Sequence, residues 1–241
     1  MKYNEISHFS HPHHNLKFEY SEAPFKCDGC KEAGIGSRYK CCGGGYGGGG
    51  GACNFDLHTH CAIPSPSIVH PFYTKCSFQF LSRAPGQVAR YCNACEKDVA
   101  GFVYHCKSCG FDLHPCCAKL PMVLDDGEIK LYLCGRKGRS WSYRSSCKKY
   151  NLHVACVKEM LVDSWHEIYY GGLGGSSSRK LETRIPSLRA TLQTHNHRKS
   201  SKGKAQKCCE VAGLALQFVI SAVLGDPTTL IAALVGSLMS K

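Results

Sequence analysis

The chain is short of the residues that build one large core. Among 241 residues there are 2 Trp and 4 Met, and no uninterrupted apolar run reaches the roughly 20 residues that a bilayer-spanning helix needs. The opening residues, Met1-Lys2-Tyr3-Asn4-Glu5-Ile6-Ser7-His8, hold no apolar stretch ahead of a small-residue cleavage site. The expectation is therefore an intracellular, reducing compartment, cytoplasm or nucleus, in which thiols stay free. Acids are scarce as well, with 18 Asp and Glu against 30 Lys and Arg, a formal charge of +12. That excess is local: Arg179 to Lys207 carries nine Lys and Arg against the single acid Glu182, nine minus one, or +8.

What the chain has in abundance is cysteine and histidine, 18 and 13 residues. Two stretches repeat the same spacing. The first runs Cys27-Asp-Gly-Cys30, ten residues, Cys41, an insertion, then Cys53-Asn-Phe-Asp-Leu-His58-Thr-His-Cys61. The second runs Cys92-Asn-Ala-Cys95, ten residues, Cys106-Lys-Ser-Cys109-Gly-Phe-Asp-Leu-His114-Pro-Cys-Cys117. A Tyr stands two positions before the third Cys of each, Tyr39 and Tyr104, so the stretches form an internal repeat.

Two residues between thiolates allow a tight turn that presents both sulfurs to one Zn²⁺ about 2.3 Å away, and each pair recurs with a matching Cys-x4-His-x2-Cys tail. A disulfide framework has no need of His at a fixed distance. Units of this size bury too little apolar surface to fold unaided, so metal ligation is expected to supply the missing free energy. Zinc is thus read as a folding cofactor, about four ions per chain. A Cys3His set sets three thiolates against two positive charges, so four such sites would lower the net charge to about +8.

The insertion in the first stretch, Cys42 to Ala52, is dominated by glycine. Such a segment behaves as flexible coil and adds on the order of 1 kcal/mol of closure entropy, so the site should survive it. Cys41 keeps the ten-residue register and is preferred to Cys42 as ligand. A third, eroded copy reads Cys134, then Trp141-Ser-Tyr143, Cys147, and His153-Val-Ala-Cys156. Leu131 stands where its first Cys would be and Arg144 where its third would be. Cys134, Cys147, His153 and Cys156 remain as four donors for a fifth zinc, against a metal-free, hydrophobically packed remnant.

Catalysis is not expected. A redox Cys-x-x-Cys needs a helix N-terminus within a strand-helix-strand scaffold to depress its pKa, and no such pattern surrounds either pair. An open catalytic zinc needs a neighbouring base, and none is placed beside these donors. Beyond the repeats, Gly171 to Ser178 is rich in Gly and Ser and leads into the basic run, which reads as a disordered linker. Val211 to Leu224 and Leu230 to Met239 are apolar on either side of Gly225-Asp226-Pro227, the pattern of a C-terminal α-helical hairpin. The basic run could touch nucleic acid non-specifically, and the tail at 211–239 could attach weakly to a membrane surface.

The motifs His14-Asn-Leu, Cys27-Asp-Gly-Cys30, Phe-Asp-Leu-His in both copies, His70-Pro-Phe, Arg90-Tyr-Cys92-Asn-Ala-Cys95 and Trp141-Ser-Tyr-Arg-Ser-Ser-Cys147 resemble those of the plant divergent C1-domain proteins. The resemblance covers about residues 8–170. It implies small α+β, zinc-stabilised, cross-braced modules made of short hairpins and a short helix. It divides the chain into modules at 8–69, 70–124 and a degenerate 125–170, followed by the linker at 171–207 and the hairpin at 208–241.

In the cross-brace the first Cys pair and the His-x2-Cys tail share one zinc. The resemblance thereby implies the sets Cys27, Cys30, His58, Cys61 and Cys92, Cys95, His114, Cys117. The companion sites would use His14, Cys41 and Cys53, and Cys106 and Cys109. Their last donors stay open: His70 closes the first module or opens the second, Cys76 takes the role His70 leaves, and Asp125 is a further candidate. His8, His11 and His13 are read as exposed or loosely capping. The function implied is a zinc-binding adaptor that contacts other proteins in intracellular signalling. Diacylglycerol is not expected as a ligand, because Lys31 to Lys40 and Glu96 to His105 lack the Pro and the Gln-Gly of the lipid-binding loop.

Overall fold

The computed structural model describes residues 4–43, 53–125, 130–134, 140–145, 151–158 and Leu224. Most of the glycine insertion, the linker expected at 171–207 and, apart from Leu224, the hairpin expected at 208–241 lie outside the described residues. Among the described residues no helix is long and apolar enough to cross a membrane.

Strand dominates. Three four-stranded antiparallel meanders follow one another, each with sequential strands as hydrogen-bonded neighbours. The first is β1 (Glu5–His8), β2 (His11–Lys26), β3 (Ala33–Cys41) and β4 (Asp56–His58). The second is β5 (Ser67–Val69), β6 (Ser77–Leu81), β7 (Val103–His105) and β8 (Asp112–Leu113). The third is β9 (Val123–Asp125), β10 (Lys130–Cys134), β11 (Ser142–Ser145) and β12 (Asn151–His153). Among the described residues, apart from Leu224, helix is confined to α1 (Thr59–Ala62), two 3-10 turns at Pro71–Tyr73 and Cys117–Lys119, and a turn over residues 154–158. Pro64, Pro66 and Pro121 lie just past α1 and the second 3-10 turn, where a ring without an N–H opposes further helix.

The registers superpose the three sheets residue by residue. Tyr39 faces Leu57, Tyr104 faces Leu113, and Tyr143 faces Leu152. All three tyrosines are buried, and so are Leu57 and Leu113, because these cross-strand pairs sit within the apolar clusters, one for the first sheet and one shared by the other two. The same superposition puts Cys41, Cys106 and Ser145 at one position, so the lost third Cys of the last copy is Ser145 and not Arg144. It also places Cys134 inside β10, paired with Ser142, rather than in a metal-presenting turn.

Adjacent sheets dock by a repeated contact. The Gly29 carbonyl, in the first Cys pair, accepts a 2.9 Å hydrogen bond from the Phe102 N–H. The Ala94 carbonyl, at the equivalent place in the second Cys pair, accepts from the Trp141 N–H at 2.8 Å. Phe102 and Trp141 are themselves equivalent, two residues before Tyr104 and Tyr143. Phe102 packs on His8 and Phe9 (ring centroids 6.0 and 5.5 Å), and Trp141 packs on His70 and Phe72 (4.7 and 4.9 Å). Both rings are buried, and each such burial contributes roughly 2–3 kcal/mol.

The first docking contact has no room to spare. A Cβ built on Gly101 would lie 2.0 Å from the Gly29 carbonyl oxygen, a backbone atom that cannot swing aside. Gly101→Ala is therefore expected to lower the free energy of unfolding by about 1–3 kcal/mol, as overpacking does, while leaving metal content unchanged. Thermal denaturation paired with metal analysis checks both halves.

Candidate metal centres

Four groups of Cys and His bring one donor atom each to within 4.8 Å of the others. They are Cys27, Cys30, His58 and Cys61; Cys92, Cys95, His114 and Cys117; His11, His14, Cys41 and Cys53; and Cys76, Cys106 and Cys109. The first two are fully buried.

The two buried centres are built alike. In each, the Cys pair sits in a turn closed by two hydrogen bonds, Lys31 N–H to the Cys27 carbonyl and Cys27 N–H to the Glu32 carbonyl, with Glu96 and Lys97 in the same roles toward Cys92. Lys31 and Glu96 follow their Cys pairs in the left-handed region, φ 65° and 59°, which turns the chain back over the sulfurs. The Phe-Asp-Leu-His strand then locks to this turn. The Asp28 carboxylate accepts the Asp56 N–H at 3.0 Å, and the Asn93 side-chain carbonyl accepts the Asp112 N–H at 2.8 Å. The His58 N–H points at the Cys27 sulfur (3.5 Å) and the His114 N–H at the Cys92 sulfur (3.4 Å).

Each histidine is fixed in one tautomer. Nε2 of His58 donates to the Ala33 carbonyl at 3.1 Å, and Nε2 of His114 to the Asp98 carbonyl at 2.9 Å, which leaves Nδ1 as the free acceptor toward the sulfurs. His58 Nδ1 lies 3.4 Å from Cys30 and 3.9 Å from Cys61, and His114 Nδ1 repeats both distances to Cys95 and Cys117. A tetrahedral ion with bonds of about 2.3 Å to sulfur and 2.0–2.1 Å to nitrogen requires N to S edges of ~3.6 Å. The donor sets therefore fit zinc in type, number and size. Electrostatics single out one thiolate: burial pushes the Cys27 thiol up, but hydrogen bonds from Cys30 and Cys61 and the neighbouring His58 reverse this and hold it well below its usual value, while burial pushes Cys30 and Cys61 well above theirs. A buried thiolate of this kind is the species a metal takes.

Around the second centre lies a polar group drawn from all three sheets. Glu32, from the first, sits 3.2 Å from Nε2 of His114 and pairs with Lys158, which follows β12. The Lys158 ammonium also lies 3.8 Å from the Cys116 sulfur. Its neighbours, Cys116 first, then Cys117 and Glu32, outweigh the desolvation that burial imposes and hold the amine well above its usual pKa. No spacing rule points to Glu32 or Lys158, since each acts across a gap in sequence that only the docked sheets close.

The companion centre of the first sheet differs from its expected composition. His14, Cys41 and Cys53 are present, but the fourth donor is His11. Its Nε2 lies 3.3 Å from Cys41, 3.4 Å from Cys53 and 3.3 Å from Nδ1 of His14, with the ring stacked on Phe55 at 4.3 Å. The spacing anchored on Cys27 selects a single His and passes over a second donor three residues upstream. A His2Cys2 set around Zn²⁺ is neutral, unlike the Cys3His sets. The glycine insertion leaves this site intact because the ladder rejoins around it, with Cys41 N–H on the Phe55 carbonyl and Cys53 N–H on the Gly43 carbonyl.

His70, expected in one of the companion sets, joins neither. Its Nδ1 accepts the Phe72 N–H at 3.1 Å, capping the 3-10 turn, and its Nε2 donates to the Leu120 carbonyl at 3.3 Å, so both nitrogens are engaged. Cys76 instead stands with Cys106 and Cys109. In the third copy His153 ends β12 with its Nε2 3.2 Å from the Asn151 amide, Cys156 is exposed, and Cys147 lies outside the described residues. Among the described residues no donor group forms there, and Trp141, Tyr143, Val154 and Val157 join the apolar core of the second sheet. The side chain of Asp125 lies outside the described residues.

Residues 70–118 match the family model of the C1 domain, and the Cys and His clusters fit a C1-like zinc finger. No curated protein and no solved structure matches the chain.

Two outcomes are expected from this geometry. A carboxylate behind a ligating His typically accounts for 10- to 100-fold in metal affinity, so Glu32→Gln should weaken the Cys92 centre about 10-fold and leave the Cys27 centre unchanged, as read by chelator competition. Burial lowers the pKa of His70 below 6.5, partly offset by the Leu120 carbonyl. The unfolded chain then binds the proton more readily, so the stability from neutral His70 is present above about pH 6.5 and is lost as pH falls from there toward the folded value. His70→Asn should be less stable at pH 7.5 yet lose less between pH 7.5 and 5.5, measured by denaturant unfolding at each pH.

Proposed function

With residues 70–118 a C1-like zinc-finger domain, we propose that the chain is a non-catalytic zinc scaffold that presents a rigid surface to another protein. The observation that carries this reading is the pair of fully buried Cys3His centres, each closed by four protein donors. A closed tetrahedral set leaves no position for a substrate or an activated water, which suits a structural role. Around these cores stand exposed apolar side chains, among them Tyr20, Val88 and Tyr91. Rigid aromatic and aliphatic groups of this kind are common anchors in protein interfaces.

A role in intracellular signalling belongs to the same proposal and rests on the C1 likeness. Diacylglycerol is not proposed as the ligand. Each segment that would carry the lipid groove is taken up here by the turn after the Cys pair and the strand that follows it, with neither the Pro nor the Gln-Gly that such a groove needs.

The test is metal analysis of the native full chain by mass spectrometry, together with circular dichroism before and after chelation. About four zinc ions per chain and loss of tertiary structure on chelation are expected, since metal binding and folding are one equilibrium in domains this small. Zinc content near zero with the fold retained would refute the scaffold reading. For recognition, the zinc-loaded chain as bait should retain a protein partner that the chelated chain releases.

A further inference from the structure

Among the described residues, the centre formed by Cys76, Cys106 and Cys109 is incomplete in a way its counterpart explains. In the first sheet Leu16 pairs with Cys41. In the second, continuing the register of Gln79 with His105 sets Phe78 against Cys106, and Leu16 and Phe78 are both completely buried. Counting back from those two residues, His14 corresponds to Cys76 and His11 corresponds to Tyr73. Three donors of the neutral His2Cys2 set thus have sulfur counterparts in the second sheet, and the fourth has a phenol.

The aromatic partners carry the same correspondence. His11 stacks on Phe55, and Tyr73 lies against Phe111 at 5.0 Å, Phe55 and Phe111 being the equivalent residues of the two Phe-Asp-Leu-His strands. The Tyr73 hydroxyl is turned toward the third sheet, where it accepts a 3.2 Å hydrogen bond from Nε1 of Trp141. The residue that would complete the centre is thereby committed to the docking contact. His70, the nearest other histidine in sequence, has both nitrogens engaged. Cys109 is exposed, so the three-sulfur centre opens to solvent, whereas both Cys3His centres are sealed.

We infer that Cys76, Cys106 and Cys109 form a three-thiolate zinc centre with an open fourth position that takes an imidazole nitrogen from outside the chain. This rests on the zinc reading above. Three thiolates on Zn²⁺ leave a charge of −1, and a neutral imidazole completes the tetrahedron without adding to it, as His11 does in the first sheet. The group in a binding partner that offers this chemistry is a histidine side chain. The chain would then use its sealed centres to fold and its open centre to hold a partner by a metal bond.

Cadmium-113 resonance spectroscopy of the cadmium-loaded full chain separates the centres, because each donor set gives its own line. Four lines are expected, and free imidazole should shift one of them, the line that is lost in Cys109→Ser. Tyr73→His supplies an internal donor and should abolish the response to imidazole, while Tyr73→Phe, which keeps the ring, should retain it. Four lines with none moved by imidazole would overturn the open position while leaving the zinc scaffold intact. A response that arises only after Asp125→Ala would overturn it too, by revealing an internal carboxylate as the fourth donor. If three lines appear and the Cys109 centre takes no metal, both the open position and the four-zinc reading fail.

Discussion

The two metal-bearing sheets, and the third that leans on them, hang on the closure of a Cys-x2-Cys turn against a single strand. The strand offers an Asp to tie its backbone to the turn, a Leu to fill the core and a His to meet the sulfurs. Alone, each contact is modest, a neutral hydrogen bond contributing about 1 kcal/mol. A bound metal ion would turn them into one cooperative unit, since the same atoms that orient the ligands also seal them from water. The left-handed residue after each Cys pair, Lys31 or Glu96, is strained for a side chain with a Cβ. It persists because the turn is fixed from both sides.

The buried centres were legible in the sequence because their ligands come in two local motifs whose spacing reports directly on geometry. Cys27, Cys30, His58 and Cys61 are brought together as the resemblance to C1-like modules implies, and their equivalents in the second sheet likewise. The companion centres were less legible, because their upstream donor arrives on a strand whose pairing, not its distance from a Cys, decides which residue reaches the site. The spacing therefore passes over His11 and leaves the roles of His70 and Cys76 open. The reading of short hairpins with a short helix understated the strands: β2 runs from His11 to Lys26, and most helical segments amount to a single turn.

The third copy shows what remains when the ligands erode. Its Tyr143 still faces Leu152 and its Trp141 still occupies the docking position, so the sheet persists although no donor group forms there among the described residues. It manages this by sharing a core with its neighbour, with Val154 and Val157 packed into the apolar cluster of the second sheet. A unit too small to fold alone can keep its shape either by holding an ion or by borrowing a wall.

Glu32 and Lys158 give this arrangement an unusual topology. Repeats that touch only their neighbours behave as a string, in which each joint can flex or fail by itself. Here the first and last units also meet, through one ion pair set beside a metal ligand of the middle unit. Three bodies joined at three places form a triangle, and a triangle has no free hinge. Bending at any one joint must break another, so the three described sheets answer a load as a single strut.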